Sequence, residues 1–302
     1  MSQELIWGVD LGGSKIECAV LKHDTLEVLF RERISTESEG GATHIVSRIV
    51  RILENAKQAT GHSPEVLGIG SPGTLDVSLG LLKNSNTICL NGFPLKVELE
   101  AAIGISVRIA NDANCFALAE TILGVVPEQS PDAKVIFGVI LGTGVGGGLV
   151  VNGKVLNGLH GICGEWGHIE LDPQGEDCYC GKKGCVEQVI SGPALERYYT
   201  RLSGSHLPLR EIALRKSSDE DAAETINHLV EMFGKGISKV INVLDPDAII
   251  IGGGVGNLKA LYEDGPAEIQ KHIFNHAFHG KLLKPGLGDS AGVFGAAMLV
   301  RD

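Results

Sequence analysis

The pattern of apolar and polar positions predicts a chain that opens with strands and then alternates strands with helices. Short apolar runs bounded by glycines or polar residues are typical of buried strands. Such runs occupy residues 5–10, 15–21, 26–32, 66–70, 107–110, 134–141, 148–151 and 248–251. Because the first three runs follow one another at short intervals, they predict an opening β-meander.

Helical spacing of apolar residues fills much of the chain between and after these strands. The segments with this spacing are residues 43–58, 113–123, 222–244 and the small-residue stretch from residue 289 onward. Asp245-Pro246 directly follows the third segment, and this pair is typical of a helix end. The alternation predicts an α/β fold.

Two strand–turn–strand units with similar glycine patterns indicate an internal duplication. The first unit is residues 9–15 and the second is residues 140–146. A third glycine group, Gly252-Gly253-Gly254, follows a buried strand. Glycine turns let backbone amides approach a ligand without a clash at Cβ, which is typical of nucleotide-binding α/β proteins.

Composition narrows the class of protein. The 302 residues are 43% hydrophobic, which is enough for a large core, and the formal net charge is −11. An acidic surface repels phosphate backbones, so nucleic acid is not an expected partner. The start of the chain lacks a signal peptide pattern, and the long apolar run at residues 135–151 contains six glycines. We therefore expect a soluble, cytoplasmic protein without membrane contact.

The turn after the first strand, with Asp10, Gly12, Gly13, Ser14 and Lys15, is a candidate phosphate site. Its glycines open the backbone, Ser14 and Lys15 add a hydroxyl and a charge, and Asp10 could hold Mg²⁺. The spacing matches neither the Walker A nor the Rossmann pattern. Taken alone, a tight hairpin with a surface aspartate explains this turn equally well.

The second glycine turn is a candidate for an opposing phosphate clamp. It contains Thr143 and Gly144, and a glycine-rich hairpin is again the simpler alternative. The glycines at 252–254 would let an adenine or ribose lie flat on the backbone.

Asp112, at the end of a predicted strand and the start of a predicted helix, is a candidate catalytic carboxylate. Phosphoryl transfer needs an acceptor for the proton of the attacking hydroxyl. The alternative is that Asn111-Asp112 only caps the helix, which is the commoner role for such residues.

A histidine and three cysteines give the most specific signal in the chain. Nine residues separate His168 from Cys178, one separates Cys178 from Cys180, and four separate Cys180 from Cys185. One His and three Cys make a closed tetrahedral Zn²⁺ site. Because no position would stay open for water, the zinc would be structural, which argues against a zinc hydrolase. Reduced, unliganded cysteines are the alternative.

Taken together, these segments resemble the ROK family of bacterial sugar kinases and repressors over nearly the whole chain. In chain order, the motifs are the Asp10 turn, Gly70-Ser71-Pro72-Gly73, Asn111-Asp112-Ala113-Asn114, the Gly142 turn, the block from Glu165 through Glu187 and Gly252-Gly253-Gly254. Each motif is weak by itself, but the ordered set is specific to this family.

The resemblance implies the actin-like ATPase fold, also called hexokinase-like or ribonuclease H-like, with two α/β domains and a cleft between them. We expect a small domain from residues 1–117 and 290–302, and a large domain from residues 118–289 that carries the zinc loop. The resemblance also implies ATP and Mg²⁺ at the glycine turns, a hexose near the hinge and a homodimer.

Carried over position by position, the resemblance makes Asp112 the base that deprotonates the sugar hydroxyl. The implied sugar contacts are Asn111, Asp112, Glu165, His168, Glu187 and Gly73. The implied nucleotide and phosphate contacts are Asp10, Gly12, Gly13, Ser14, Lys15, Thr143, Gly144, Gly252, Gly253 and Gly254. In that family the histidine also ligates zinc, here with Cys178, Cys180 and Cys185. Ser14 departs from the family's usual threonine but keeps the hydroxyl.

Residues 83–87 and 90–95 most resemble the fructokinase (mannofructokinase) branch, which favours an ATP:hexose 6-phosphotransferase acting on fructose. N-acetylglucosamine kinases and glucokinases of the family share most of the same motifs, so both stay open as alternatives. A non-catalytic sugar sensor is the other alternative. The family's repressors carry an N-terminal DNA-binding segment, and we expect no room for one before Asp10.

Overall fold

The computed structural model describes residues 4–301. Its strands are β1 Leu5–Leu11, β2 Lys15–Lys22, β3 Val28–Ser35, β4 Val66–Ser71, β5 Thr74–Asp76, β6 Leu81–Lys83, β7 Ser106–Asn111, β8 Val135–Leu141, β9 Val145–Val151, β10 Lys154–Val155, β11 Ala248–Gly252 and β12 Lys281–Leu283. Its α-helices are α1 Ala42–Thr60, α2 Leu95–Ile103, α3 Asp112–Ile122, α4 Val125–Gln129, α5 Val186–Ile190, α6 Gly192–Ser203, α7 Leu209–Arg215, α8 Glu220–Leu244, α9 Gly253–Gly256, α10 Ala260–Glu263, α11 Gly265–Gln270 and α12 Ala291–Met298.

The predicted strands and helices are present, with two informative shifts. The third strand begins at Val28 rather than at residue 26, because Leu26 is left-handed (φ 59°) and its N–H donates to the Lys22 carbonyl, which closes a turn. The seventh predicted strand begins earlier, at Val145, because Gly146 pairs with Ile140 in the antiparallel ladder. Backbone pairing therefore decided both limits, where apolar patterning could not.

The chain divides into two compact units. The first contains residues 4–124, 153–163 and 287–301, and the second contains residues 125–152 and 164–286. The domain limits expected from the sequence stay a prediction, and residues 1–3 and 302, which those domains include, lie outside the described residues.

In the first unit a five-stranded sheet has the order β3-β2-β1-β4-β7. Strands β1, β2 and β3 form the predicted antiparallel meander, whereas β4 and β7 run parallel to β1. In register, Asp10 lies beside Gly70, and Ser71 lies beside Asn111. The parallel strands therefore deliver Asp10, Ser71 and Asn111 to one edge of the sheet.

Helix α12 packs directly onto this sheet, and small residues make that approach possible. A Cβ on Gly68 would collide with the Ala296 carbonyl, and a Cβ on Gly8 would lie 2.6 Å from the Val293 carbonyl oxygen. The strand glycines let the last helix approach the sheet this closely, and at such a distance small residues are the ones that fit on the helix.

The second unit repeats the pattern with a sheet in the order β9-β8-β11-β12. Strands β8 and β9 are antiparallel, whereas β11 and β12 run parallel to β8. Ile140 pairs with Gly252, so the turn after β8 and the glycines after β11 meet at the same sheet edge. The 25-residue helix α8 buries one of its own faces, and it is capped by Asp219, whose side chain accepts from the Ala222 N–H.

Among the helices of residues 4–301, none combines the length and the apolar character that crossing a membrane requires.

Candidate active site and metal cluster

The conformation of the turn between β1 and β2 is fixed by two hydrogen bonds that involve its backbone. The Gly12 N–H donates to the Lys15 carbonyl at 2.9 Å, and the Thr36 hydroxyl donates to the Gly12 carbonyl at 2.7 Å. Gly13, Ser14 and Lys15 are exposed. The turn therefore presents free space, a hydroxyl and a cation to solvent, as an anion site requires.

Asp10, at the end of β1, is enclosed by backbone. A Cβ on Gly292 would lie 2.7 Å from one Asp10 carboxylate oxygen, and a Cβ on Gly70 would lie 3.2 Å from the other. Burial, followed by the negative charges of Asp112 and Glu17, raises the pKa of Asp10 to about 7. The excess negative charge around this carboxylate is the condition that a bound cation would relieve.

The sequence left open whether Asn111 and Asp112 only cap the helix or whether Asp112 is a candidate catalytic carboxylate. The Asn111 side chain caps α3 by accepting from the Asn114 N–H at 2.8 Å. Asp112 occupies the first helical position, and its carboxylate accepts from the Ala113 N–H at 2.8 Å. Solvent reaches the Asp112 side chain, yet many protein atoms surround it, and this burial raises its pKa. The cap is therefore Asn111, and Asp112 is an accessible, desolvated carboxylate.

Gly73, predicted as a sugar contact, has a packing reason of its own. A Cβ at this position would lie 2.7 Å from the Lys83 carbonyl oxygen and 3.0 Å from Ser85. The following loop is pinned by Asn91, whose amide donates to the Ser85 carbonyl and whose oxygen accepts from the Ser85 N–H. Gly73 thus lets the 83–85 segment approach β4.

The turn between β8 and β9 is joined to Glu187, at the start of α5. Its carboxylate accepts from the Val145 N–H at 3.0 Å, and a Cβ on Gly144 would lie 2.7 Å from the same oxygen. The Gly142 carbonyl accepts from the Gly192 N–H at 2.8 Å. Gly144 therefore has a structural requirement, since it makes room for Glu187.

A cavity of about 1110 Å³ opens beside this turn within the second unit. Its walls include Gly142 and Thr143 of the turn, Gly254 after β11, and side chains of α6 and α7 such as Glu196 and Arg210. A cavity of this size holds a drug-sized or nucleotide-sized ligand.

The glycines after β11 differ in their positions relative to this cavity. Of the three glycines after β11, Gly254 lines the cavity, whereas Gly253 is left-handed (φ 85°) and packs against the Leu141 carbonyl. Helices α6 and α7 supply much of the wall and were not located from the sequence.

The histidine and cysteines come together as their spacing predicted. The ligand atoms of His168, Cys178, Cys180 and Cys185 all lie within 4.8 Å of one another. Two of the separations, Cys178 Sγ to His168 Nδ1 and Cys180 Sγ to Cys185 Sγ, are both 3.6 Å. Tetrahedral zinc with Zn–S bonds of about 2.3 Å places sulfur ligands roughly 3.8 Å apart. The cluster therefore fits one tetrahedral metal ion.

Tyr179 lies between two of the cysteines and contacts the histidine, which the sequence did not indicate. Its hydroxyl is 3.0 Å from His168 Nε2, and the two rings meet edge to face at 5.1 Å. Burial, and then the negative charges of Glu187, Cys178 and Glu165, raise the pKa of Tyr179 to about 12. This phenol is therefore part of the surroundings of the metal cluster.

Each of the two units builds a mixed sheet from a glycine-turned hairpin continued by parallel strands, and this architecture is the actin-like ATPase fold. The chain belongs to the ROK family, whose model matches residues 6–302.

Individual relatives agree with this assignment. The chain is 35% identical to the N-acetyl-D-glucosamine kinase of Mannheimia succiniciproducens, over 98% of this chain and 99% of that protein. A ROK hexokinase of Thermus thermophilus has a similar structure, with a TM-score of 0.85, 31% identity and coverage of 98% and 97%. The ROK glucokinase of Streptomyces griseus, in complex with glucose and AMPPNP, has a TM-score of 0.77, 29% identity and coverage of 98% and 99%.

Proposed function

We propose that this protein is an ATP-dependent sugar kinase that phosphorylates the 6-hydroxyl of N-acetyl-D-glucosamine. The observation that carries the proposal is Asp112, an accessible carboxylate with a raised pKa at the same sheet edge as Asp10. The cavity beside Thr143 and Gly254 supports a nucleotide as the second substrate.

The choice of sugar rests on the relatives. Fructose was favoured by the sequence of residues 83–87, but the N-acetylglucosamine alternative has better support, because relatives over nearly the full length carry that name. A hexokinase and a glucokinase among the similar structures support the broader class of hexose substrates. Fructose is kept as a comparison substrate.

The proposed reaction assigns a proton acceptor to the first unit. Asp112 accepts the proton of the 6-hydroxyl while the sugar oxygen bonds to the γ-phosphorus and the bond to ADP breaks. Burial makes this carboxylate a better base than an ordinary aspartate, because a raised pKa favours its protonated form. Asn111, held by its cap to α3, keeps Asp112 in position at the strand end.

The phosphate-side roles fall on the glycine turns. Amides of Gly13 and Ser14 and the side chains of Ser14 and Lys15 neutralise developing charge on the phosphoryl group, while Gly12 closes the turn through its N–H. Thr143 and Gly144 serve the nucleotide in the second unit. When bound, Mg²⁺ supplies further charge neutralisation, and Asp10 is the residue that would hold it.

Zinc has a structural role in this proposal. Four protein ligands close its coordination sphere, so it stabilises the loop that carries Glu187 and does not activate water. Glu165, His168 and Glu187 are the proposed sugar contacts of the second unit. A homodimer remains a prediction from the family resemblance, and a cytoplasmic location remains a prediction from the sequence.

The test is a coupled ADP-release assay on zinc-replete protein with Mg-ATP. We expect the highest kcat/KM with N-acetylglucosamine, compared with N-acetylmannosamine, glucose, mannose and fructose. A preference for fructose would instead favour the fructokinase branch of the family. Binding of sugars without turnover of any of them would indicate a sensor and overturn the proposal.

A further inference from the structure

The glycine-rich segment after β11 forms part of the cavity wall in the second unit, yet its own sequence does little to fix its shape. Helix α9 has four residues, three of them glycine, and its cap residue Gly252 has no side chain that could accept a hydrogen bond. Glycine loses more conformational freedom on folding than any other residue. Gly254 and Val255 nevertheless line the cavity, so the segment needs support from another part of the unit.

Tyr262, in α10, provides this support through its hydroxyl. The phenol oxygen lies 3.0 Å from the Ile251 carbonyl oxygen and 2.8 Å from the Gly256 carbonyl oxygen. These carbonyls stand at the two ends of the segment, which doubles back so closely that a Cβ on Gly256 would lie 2.9 Å from the Ile251 oxygen. A phenol has one proton to donate, and the two carbonyls share it. A single side chain therefore fastens both ends of the segment.

The phenol is itself fixed in place and remains a donor at neutral pH. Lys284 Nζ lies 4.8 Å from the centre of the Tyr262 ring, which is a cation–π contact. The Tyr262 N–H donates to the Lys259 carbonyl at 2.9 Å. Burial raises the pKa of Tyr262 to about 12, so the hydroxyl keeps its proton. The support therefore comes from a residue that is held at both its ring and its backbone.

We propose that Tyr262 is a positioning residue for nucleotide binding, because its hydroxyl holds residues 252–256 in the shape that forms the cavity wall. This inference rests on the proposed kinase function and deepens it, since it assigns to the nucleotide site a residue behind the cavity wall. A segment that is already ordered spares the ligand the cost of ordering it, so the hydroxyl should increase the affinity for the nucleotide. The proposed sugar contacts of this unit belong to residues 165–187, so sugar binding should not depend on it.

The decisive variant is Tyr262→Phe, which keeps the ring against Lys284 and removes only the hydroxyl. We expect the Kd for AMPPNP with Mg²⁺ and the KM for ATP to rise about three- to tenfold, the loss that one neutral hydrogen bond produces. The Kd for N-acetylglucosamine and the kcat at saturating ATP should stay within about twofold of wild type, because the change affects the binding of one substrate only. Calorimetry measures both Kd values, and a coupled ADP-release assay measures KM and kcat.

A second measurement reports on the segment directly. Hydrogen exchange of the ligand-free protein, followed on peptides by mass spectrometry, should be about three- to tenfold faster at residues 252–257 in Tyr262→Phe than in wild type, because the lost hydrogen bond favours local opening.

The matched control is Tyr199→Phe in α6 of the same unit. The Tyr199 hydroxyl donates to the Asp219 carboxylate at 2.7 Å, and Asp219 caps α8. The control also loses one tyrosine hydrogen bond, so it should lose stability to urea while its Kd for AMPPNP stays at the wild-type value.

Four results would overturn the inference. If Tyr262→Phe binds AMPPNP as tightly as wild type, or if exchange at residues 252–257 is unchanged, the phenol does not position the segment for the nucleotide. If Tyr199→Phe loses the same affinity for AMPPNP, or if Tyr262→Phe loses as much affinity for the sugar, the effect is a general loss of stability. Wild-type protein that binds no AMPPNP would refute the proposed nucleotide site and this inference with it, and the wild-type titration alone separates that failure from the other four.

Discussion

The two glycine turns have the same architecture but different chemistry. Each joins an antiparallel strand pair, and in each the first strand is also paired with a parallel neighbour. The first turn follows Asp10 and carries an exposed Lys15. The second follows the apolar Leu141, and its only hydrogen-bonding side chain is Thr143. A duplicated backbone motif has thus kept its geometry while its side chains diverged.

The residues around the two glycine turns differ as well. Beside the first turn, burial and nearby acids raise the pKa of Asp10, and Asp112 follows β7 at the start of α3. Beside the second, a neutral turn adjoins a large cavity and is joined to the metal-cluster loop through Glu187. In the proposed reaction, the first unit would therefore supply the acid–base and cation chemistry, and the second would supply binding space for the nucleotide.

The largest expected effect is the loss of the proposed base. Asp112→Asn should lower kcat about 100- to 10,000-fold, the contribution usual for general base catalysis, because the amide cannot accept the proton. The Kd for sugar should change little, since asparagine keeps the size and hydrogen-bonding capacity of the side chain. A coupled ADP-release assay measures kcat, and calorimetry measures the Kd for sugar.

The control for this variant is Asp24→Asn, the same carboxyl-to-amide change at a side chain that is 92% exposed, and it should keep the wild-type kcat. If Asp112→Asn kept wild-type turnover, the assignment of the chemistry to the first unit would be wrong.

A smaller effect tests the structural role of the second turn. Gly144→Ala places a Cβ 2.7 Å from the Glu187 carboxylate, so Glu187 must move and its hydrogen bond to the Val145 N–H weakens. We expect a loss of about 1–3 kcal/mol in the free energy of unfolding. Gly142→Ala is the matched control for stability, because nothing lies within 4 Å of a Cβ at that glycine. Equal urea midpoints for the two variants would contradict the account.

Much of this comparison could be predicted from the sequence, since both turns and the metal cluster are local patterns. The spacing of Cys178, Cys180 and Cys185 was sufficient to predict a closed site with His168, and their ligand atoms do converge. Chain order and apolar runs were likewise sufficient for most strands of both sheets, but they did not predict β12.

The remainder depends on tertiary contacts that no local pattern encodes. Helix α7 has seven residues and a proline at its cap, so its propensity signal is short. Tyr179 looked like a loop residue between two cysteines, and only the fold brings its hydroxyl to His168. The assignment of residues 153–163 to the first unit likewise depends on long-range packing.

The last effect concerns Asp10, the acid that most clearly separates the two turns. Its pKa is raised from 3.8 to about 7 in the folded protein, so the folded state binds more protons than the unfolded state between these values. Stability is therefore lost as pH rises from about 4 to about 7, and the loss persists above pH 7.

Asp10→Asn removes that charge and should raise Tm at pH 8, in buffer free of divalent cations, by at least about 2 °C. The advantage should shrink towards pH 4, where the wild-type carboxyl is protonated in the folded state and close to half protonated in the unfolded state. Asp24→Asn, whose side chain is 92% exposed, controls for removal of one negative charge. Calorimetric Tm values across pH 4–8 give the answer. If the difference in Tm between Asp10→Asn and wild type does not change with pH, the pKa of Asp10 is not raised in the folded protein. The contrast between the two turns would then be steric rather than electrostatic.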